Sequence, residues 1–311
     1  MAKPVLKMYD NEKAYQELFE DYIASIKIQG MAEETIRTYY YHHKYFMKFI
    51  GYDIKCKDID ISLLNNYKMM LLDRKLSKVT INSYLSNIRP VLRYGMNNGY
   101  ISQFIITGVK EEEKIKELYT EAELKILLVK PVINKSSFPV YRNWVIINFL
   151  LATGVRAKEL RNIKIKDVDF ENMLIALQVT KNKKARYIPL STGISRILTE
   201  YMTFRKGKSD NYLFCNQFGE QLPRTTLQMS ITKYCKRRGV NKYSLHLFRH
   251  TFATNYLKYG GDIFTLKRIL GHSSMRMVNH YLQLQTKDLQ DNIDKFNPLD
   301  NIIKGKKINL K

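Results

Sequence analysis

Apolar side chains recur every three to four positions along the first hundred residues, which is the spacing of a helix that buries one face. The pattern predicts four helices: one over residues 11–29, a second ending near Gly51, a third from a cap region at Asp60 or Ser62 to about Arg74 and a fourth from Ser77 to Asn98. Ser77 is a suitable N-cap, and Gly30 and Gly99 stand where the first and fourth helices would stop. Four helices of this length predict a small bundle.

A charged segment, residues 105–118, interrupts the apolar pattern with the run Glu111, Glu112, Glu113 and Lys114. Such a composition predicts an exposed linker. We therefore expect an N-terminal domain over residues 1–107, a linker over 108–118 and a second domain over 119–311.

The second domain mixes helices with short strands. Thr120 and Glu123 have the spacing of a capping box, and the apolar stretch 140–152 predicts a buried helix that ends at Thr153-Gly154. Two β-prone runs, 173–179 and 186–190, flank a polar turn and predict a hairpin in a small three-stranded sheet. Helices resume from about residue 191. The predicted fold is mainly α, with a four-helix bundle joined to a mostly helical α+β domain.

Charge narrows the choice of partner. Lysine and arginine outnumber aspartate and glutamate by 52 to 29, which gives a net charge of +23. This excess favours a polyanion such as nucleic acid, and a lysine-rich proteome is the less favoured alternative. The sequence contains neither an apolar run near 18 residues nor a signal-peptide pattern. Its three cysteines are scattered without metal-ligand spacing, which is typical of reduced thiols in a cytoplasmic protein.

Several residues of the second domain have side chains suited to phosphoryl chemistry. In chain order they are Arg156, Glu159, Lys181, His246, Arg249, His250, His272 and Tyr281. Each alone has an ordinary explanation. Arg156 and Glu159 could be a helix ion pair, Lys181 part of a solvated basic loop, and His246 a core histidine beside a surface arginine. Tyr281 is one of 22 tyrosines.

The ordered set changes this assessment. Arg156, Lys181, His246-x-x-Arg249, Gly271-His272 and Tyr281 resemble the active-site signature of the tyrosine recombinase (phage integrase) family. Val155 stands where that family has leucine in Thr-Gly-Leu-Arg. The segments 248–254 and 279–281 are also similar to the family, and residues 80–101 look like the last helix of its SAM-like core-binding domain. The resemblance covers nearly the whole chain and makes the second domain the catalytic one.

The residue types suit the chemistry that this resemblance implies. Planar guanidiniums of Arg156 and Arg249 can clamp the phosphate oxygens. A tyrosine hydroxyl has a pKa of about 10 and needs activation, for which His246 is the candidate base. Lys181 is the candidate acid for the departing 5′ oxygen, and His272 would hydrogen-bond the phosphate. The glycine-free turn leaves Lys183 and Lys184 open as alternatives to Lys181.

Supporting roles and DNA contacts are also expected. Glu159 would hold Arg156 or His246 in place, and His250 would support the site from behind. Basic residues that could contact DNA are Arg37, Lys44, Arg89 and Arg93 in the bundle and Lys183, Lys184 and Arg186 in the hairpin. Solvated surface charge is the plainer explanation for each bundle residue.

By resemblance, the product is a 3′-phosphotyrosyl enzyme with a free 5′-hydroxyl, made without a metal, ATP or other cofactor. Family members recombine two double-stranded DNA sites as tetramers through a Holliday junction. The resemblance therefore implies a homotetramer at the nucleoid, alone or with a paralogous recombinase or accessory protein, with residues 289–296 docked on a neighbour. Xer-like resolution and mobile-element integration or excision both remain open. A type IB topoisomerase and an inactive DNA-binding relative are the alternatives.

Overall fold

The structure is a computed structural model that describes residues 12–111, 117–178, 185–272 and 274–275. The chain divides into two compact units, residues 1–115 and 116–311. Across the described residues the structure is mostly helical with one small sheet, so the predicted fold class is confirmed. No helix in these ranges is long and apolar enough to cross a membrane.

The first unit contains the four predicted helices. They are α1 (Tyr15–Ile28), α2 (Glu33–Ile50), α3 (Ile61–Asp73) and α4 (Lys78–Asn97). The side chain of Asp60 caps α3 by accepting from the N–H of Leu63 at 2.8 Å. The Ser77 hydroxyl accepts from the N–H of Thr80 at 3.1 Å, which confirms the predicted start of α4.

A single apolar core fills the bundle. All four helices contribute fully buried side chains to it, among them Leu18, Phe46, Leu64, Tyr67 and Leu85. His42 and His43 are the buried polar residues among the described residues of the bundle. The ring of His43 takes Nδ1 to within 2.9 Å of the Tyr15 hydroxyl and Nε2 to within 3.2 Å of the Asn87 carbonyl oxygen. Both ring nitrogens are therefore satisfied inside the core.

Five of the seven described residues of the predicted linker, 105–111, are exposed, but its first residues also contact the bundle. Ile106 is buried in the bundle core. The amide of Asn82 on α4 donates to the carbonyl oxygen of Val109 at 2.8 Å and accepts from its N–H at 2.8 Å. A side-chain amide that pairs with both backbone groups of one residue fixes this segment against the bundle as a strand partner would.

The second unit contains seven helices within the described residues. They are α5 (Glu121–Leu127), α6 (Phe138–Thr153), α7 (Ala157–Asn162), α8 (Thr192–Arg205), α9 (Arg224–Arg237), α10 (Leu245–Lys258) and α11 (Ile263–Leu270). The predicted capping box is confirmed, with the Thr120 N–H donating to Glu123 at 2.8 Å. Helix α6 is the buried centre, and α8, α9 and α10 pack around it.

Three short antiparallel strands lie beside these helices in the order β1 (Val168–Asp169), β2 (Leu174–Leu177) and β3 (Arg186–Pro189). Ile175 of β2 pairs with Ile188 of β3, and both are fully buried. Because side chains alternate along a strand, Arg186 shares the face of Ile188. Helix α11 packs against β3, so this face of the strand meets the end of α11.

Candidate active site

Arg156 stands where one helix ends and the next begins. Gly154 closes α6 in the left-handed conformation, with φ of +61°, which suits a residue without a Cβ. Arg156 then precedes α7, and its N–H donates to Oε2 of Glu159 at 2.9 Å. Its Nη1 donates to Oε1 of the same carboxylate at 3.1 Å. One carboxylate therefore holds both the backbone and the guanidinium of Arg156.

Arg249 lies on α10 and is almost completely buried, at 1% exposure. Its Nη1 donates to the carbonyl oxygen of Gly154 at 2.7 Å, and its Nη2 donates to that of Leu270 at 2.8 Å. Gly154 follows the last residue of α6, and Leu270 is the last residue of α11. The guanidinium thus ties together the two loops that carry Arg156 and His272.

His272 follows Gly271, which ends α11 with φ of +63°. Its Nε2 lies 2.9 Å from Nη2 of Arg249. Burial, together with the positive charges of Arg249, Arg156 and Arg186 and the nearby His246, lowers the pKa of His272 to about 4. The ring is therefore neutral at physiological pH.

His246 and His250 lie one turn apart on α10 and differ in burial. His246 is exposed, whereas His250 is buried, with 8% exposure. Their rings meet edge to face at 4.4 Å between centroids. The ordinary explanation for this motif, a core histidine beside a surface arginine, is reversed here: His246 is exposed and Arg249 is buried. His246 is thus accessible to a substrate, and His250 is behind it.

Glu159 is the shared acceptor beneath this site. Its side chain is 2% exposed and faces two guanidiniums. Besides Arg156, it accepts from Arg186, with Nη1 at 2.8 Å from Oε1 and Nη2 at 3.0 Å from Oε2. Burial alone would raise the pKa of Glu159, but the hydrogen bonds and charges of Arg186 and Arg156 outweigh it and lower the pKa. The carboxylate is therefore ionised, and the positive charges of Arg186 and Arg156 balance its negative charge.

The position of Arg186 does not agree with the DNA contact expected from the sequence. Its side chain is only 14% exposed, and its Nε donates to the Ile269 carbonyl oxygen at 3.1 Å. With both terminal nitrogens on Glu159, the guanidinium is occupied by protein acceptors. The signal for this was in the strand pattern, because Arg186 stands two positions before Ile188 and therefore points towards the core.

The remaining candidates divide by location. Tyr281, Lys181, Lys183 and Lys184 lie outside the described residues. Within the bundle, Arg37, Lys44 and Arg93 are exposed, and Arg89 is half-buried. Arg37 is ion-paired with Glu33 at 2.9 Å. The structure therefore brings together Arg156, Glu159, His246, Arg249 and His272 in the second unit.

This arrangement is suited to an anion with developing negative charge. Arg156 keeps 23% of its side chain exposed above the buried Glu159, Arg249 lies behind it, and a neutral imidazole and an exposed histidine flank the pair. The partly exposed guanidinium of Arg156 can donate to phosphate oxygens. Both terminal nitrogens of Arg249 bond to protein acceptors, so this residue holds the loops that surround Arg156. Since the positions of these side chains are fixed by the fold, they need no rearrangement as charge develops.

Comparison with known proteins identifies the family. The model of the phage integrase family matches residues 112–288, and the model of the phage integrase SAM-like domain matches residues 14–114. This chain belongs to the phage integrase family of tyrosine recombinases. It is a site-specific recombinase that transfers DNA strands, and the topoisomerase alternative is not supported.

Individual relatives agree along most of the chain. Tyrosine recombinase XerA of Pyrococcus horikoshii is 30% identical over 93% of this chain and 96% of its own length. Tyrosine recombinase XerC of Staphylococcus epidermidis is 27% identical over 87% of this chain and 94% of its own.

Solved structures agree as well. The XerH site-specific recombinase bound to palindromic difH substrate is similar with a TM-score of 0.67 and 25% identity, covering 90% of this chain and 84% of that one. The Tn1549 transposon integrase in complex with transposon right end DNA has the same fold, with a TM-score of 0.75 and 20% identity, covering 91% and 99%.

Proposed function

We propose that this recombinase cuts each DNA strand with Tyr281, whose Oη attacks the scissile phosphorus while the bond to the 5′ oxygen breaks. The phenol proton passes to His246, and a turn lysine, Lys181 or its neighbours Lys183 and Lys184, protonates the departing oxygen. The product is a 3′-phosphotyrosine and a free 5′-hydroxyl. Attack by the partner strand's hydroxyl reverses these steps and joins the strands, so no ATP is consumed.

The hydrogen bonds that link Arg156, Arg249 and His272 support this proposal: Arg156 bonds to the carbonyl oxygen of Gly271, and Arg249 bonds to that of Leu270 and to the ring of His272. Arg156, held by these buried contacts, donates to the phosphate oxygens and supplies, with Arg249 and His272 beside it, the electrostatic stabilisation that phosphoryl transfer needs. Glu159 and His250 support them from beneath. The exposed position of His246 suits a group that must reach the attacking hydroxyl.

We further propose that the first domain (1–107) binds the core site, that the linker is 108–118 and that 119–311 is the catalytic domain. Four copies act on two sites through a Holliday junction at the cytoplasmic nucleoid, where the DNA lies. The relative XerH was solved with its substrate in a post-cleavage complex, and a DNA partner for this chain is in line with its charge of +23.

The DNA site is found first, by selecting bound and cleaved sequences from a random duplex library. A suicide substrate nicked beside the cleavage position then traps the covalent adduct. Wild type is expected to accumulate adduct, and Tyr281→Phe to bind the same DNA without trapping. Adduct formation by Tyr281→Phe would refute the nucleophile assignment. Relaxation of a plasmid that carries no selected site would instead indicate a topoisomerase.

Assembly is tested on the same DNA. The mass of the complex on two selected sites, measured by light scattering with Tyr281→Phe, is expected to correspond to four copies. A complex that stays at two copies with both sites present would contradict the tetramer. If strands are exchanged one pair at a time, we expect wild-type reactions on two selected sites to form a four-way junction intermediate.

A further inference from the structure

Arg186 has no part in the chemistry proposed above, yet its guanidinium is one of the most completely bonded groups in the site. It donates to both oxygens of Glu159, at 2.8 and 3.0 Å, and to the carbonyl oxygen of Ile269 at 3.1 Å. Only an arginine fork makes three such bonds in one plane. Each Glu159 oxygen also takes one bond from Arg156, at 3.1 and 2.9 Å. The carboxylate is thus shared evenly between the two arginines.

Gly271 provides the space for this guanidinium. A Cβ at Gly271 would lie 2.8 Å from Cζ and from Nη1 of Arg186, closer than side chains approach one another. The carbonyl oxygen of Gly271 in turn accepts from Nη2 of Arg156 at 3.3 Å. Arg186 and Arg156 therefore rest on the same short segment, which leads directly into His272.

Without Arg186, Arg156 would be the remaining cationic partner of a carboxylate that is 2% exposed. A buried carboxylate that loses a partner draws the remaining cation more tightly towards itself. The exposed part of the Arg156 guanidinium would then turn inward, away from solvent. The orientation of the phosphate-facing arginine thus depends on a second arginine 27 residues beyond Glu159.

We propose that Arg186 is a positioning residue for strand cleavage: by sharing the Glu159 carboxylate, it keeps the guanidinium of Arg156 directed at the scissile phosphate. This inference rests on the proposed function. A competing route exists, because Arg186 begins β3 immediately after the turn that carries the candidate lysines, and its loss could act on the proton donor instead.

The first test is a double-mutant cycle on the trapping rate. Single-turnover adduct formation is measured for wild type, Arg186→Gln, Glu159→Gln and the double variant on the suicide substrate. Arg186→Gln is expected to slow trapping by about 10- to 100-fold, the effect of misplacing a reacting group by about 1 Å. The double variant is expected to be no slower than the slower single variant, because both act through one contact. Multiplied effects in the double variant would overturn the proposal.

The second test separates Arg156 from the lysine. A substrate with sulfur in place of the 5′ bridging oxygen releases a thiolate, which leaves without a proton. Loss of the proton donor is therefore repaired by sulfur, whereas loss of the phosphate clamp is not. We expect Arg186→Gln to be slow on both substrates. Full restoration of its rate by the sulfur substrate would overturn the proposal in favour of the lysine route.

Controls distinguish positioning from simple loss of structure. Arg186→Lys keeps the positive charge but lacks the planar guanidinium, so it should recover part of the trapping rate. If Arg186→Gln unfolds below the assay temperature, Arg186→Lys is used for the test instead. The exposed Arg196 on α8 is the matched control, with Arg196→Gln at wild-type rate. DNA binding is measured for each Arg186 variant with the Tyr281→Phe change also present, and its affinity should equal that of Tyr281→Phe alone. A wild-type rate for both Arg186 variants refutes this inference, whereas absence of adduct with wild type refutes the proposed function itself.

Discussion

Nη2 of Arg249 lies 2.9 Å from Nε2 of His272, with both residues buried. A guanidinium is always protonated and only donates, so the imidazole nitrogen must accept. The proton of the neutral ring is therefore on Nδ1, and the lowered pKa of about 4 keeps it neutral. Any hydrogen bond that His272 donates to phosphate comes from Nδ1. The arginine thus determines the tautomer as well as sharing the clamp.

Replacement of His272 tests this tautomer. His272→Ala removes a transition-state donor and should lower the trapping rate by about 100- to 1000-fold. His272→Asn, whose amide nitrogen takes a position close to Nδ1, should retain more activity than His272→Ala. The comparison is made by single-turnover trapping on the suicide substrate. Equally slow rates for the two variants would contradict donation from Nδ1, and a wild-type rate for His272→Ala would show that a donor at this position is not needed.

The bundle has its own buried neutral histidine, which predicts a pH-dependent stability. Burial lowers the pKa of His43 to about 4, despite its bond to the Asn87 carbonyl, from an ordinary value of 6.5. Between these values the unfolded chain binds the additional proton, so stability is full above pH 6.5 and falls as the pH is lowered towards 4. The slope is at most about 1.4 kcal/mol per pH unit.

Urea unfolding of the full chain at several pH values measures this slope. Circular dichroism follows both units, whereas fluorescence of Trp144, the single tryptophan, follows the second unit alone. His43→Gln should be less stable at neutral pH. The unfolding free energy of the first unit, which circular dichroism detects and fluorescence does not, should depend less on pH in this variant than in wild type. A wild-type slope in His43→Gln would contradict the assignment.

Sequence reasoning placed the helices well because their ends are decided locally. Asp60, Ser77 and Thr120 each cap a helix through contacts within three residues, and such contacts follow directly from spacing. The catalytic motifs were found for a different reason, namely their order along the chain. Neither signal contains information about which distant residues meet.

The contacts that sequence reasoning missed are long-range. Arg186 looked like one more basic residue of a hairpin, because nothing in the sequence indicates that Glu159 has room for a second arginine. Likewise, the polar segment after residue 105 read as a linker, although Asn82 holds Val109 against the bundle. In both cases a polar side chain satisfies a buried partner that only the folded chain provides.

Gly154→Ala should damage both stability and cleavage. The added Cβ would lie 2.3 Å from Cδ1 of Phe252, in a backbone conformation with φ of +61°. Overpacking costs about 1–3 kcal/mol, and left-handed strain adds to it. Because the Gly154 carbonyl oxygen accepts from Arg249, displacement of this turn also moves the clamp. Urea unfolding followed by Trp144 fluorescence and the trapping rate measure the two effects.

Two other glycines separate the causes. Gly239 has φ of +74° with nothing within 4 Å of an added Cβ, so Gly239→Ala isolates the backbone strain. Gly193 has open space and no positive φ, so Gly193→Ala should be harmless. We expect destabilisation to increase from Gly193→Ala through Gly239→Ala to Gly154→Ala, with a slower trapping rate for the last alone. Equal losses at Gly154 and Gly239 would mean that the contact with Phe252 is unimportant.

Salt dependence tests whether basic residues of the bundle contact DNA. Arg93 is exposed on α4, whereas Arg37 is exposed but ion-paired with Glu33 at 2.9 Å. If Arg93 contacts a phosphate, Arg93→Ala weakens binding and reduces the slope of log affinity against log salt by about 1. Arg37→Ala should change the slope less, because its neighbouring carboxylate already offsets the charge.

Glu33→Gln completes this comparison. Removing the carboxylate leaves Arg37 unneutralised, so affinity should increase at low salt if Arg37 faces the DNA and stay unchanged if it faces away. The measurement is the affinity of the Tyr281→Phe protein for the selected site between about 50 and 200 mM salt, a range over which phosphate contacts weaken strongly. An unaltered slope in Arg93→Ala would assign that residue to solvated surface charge.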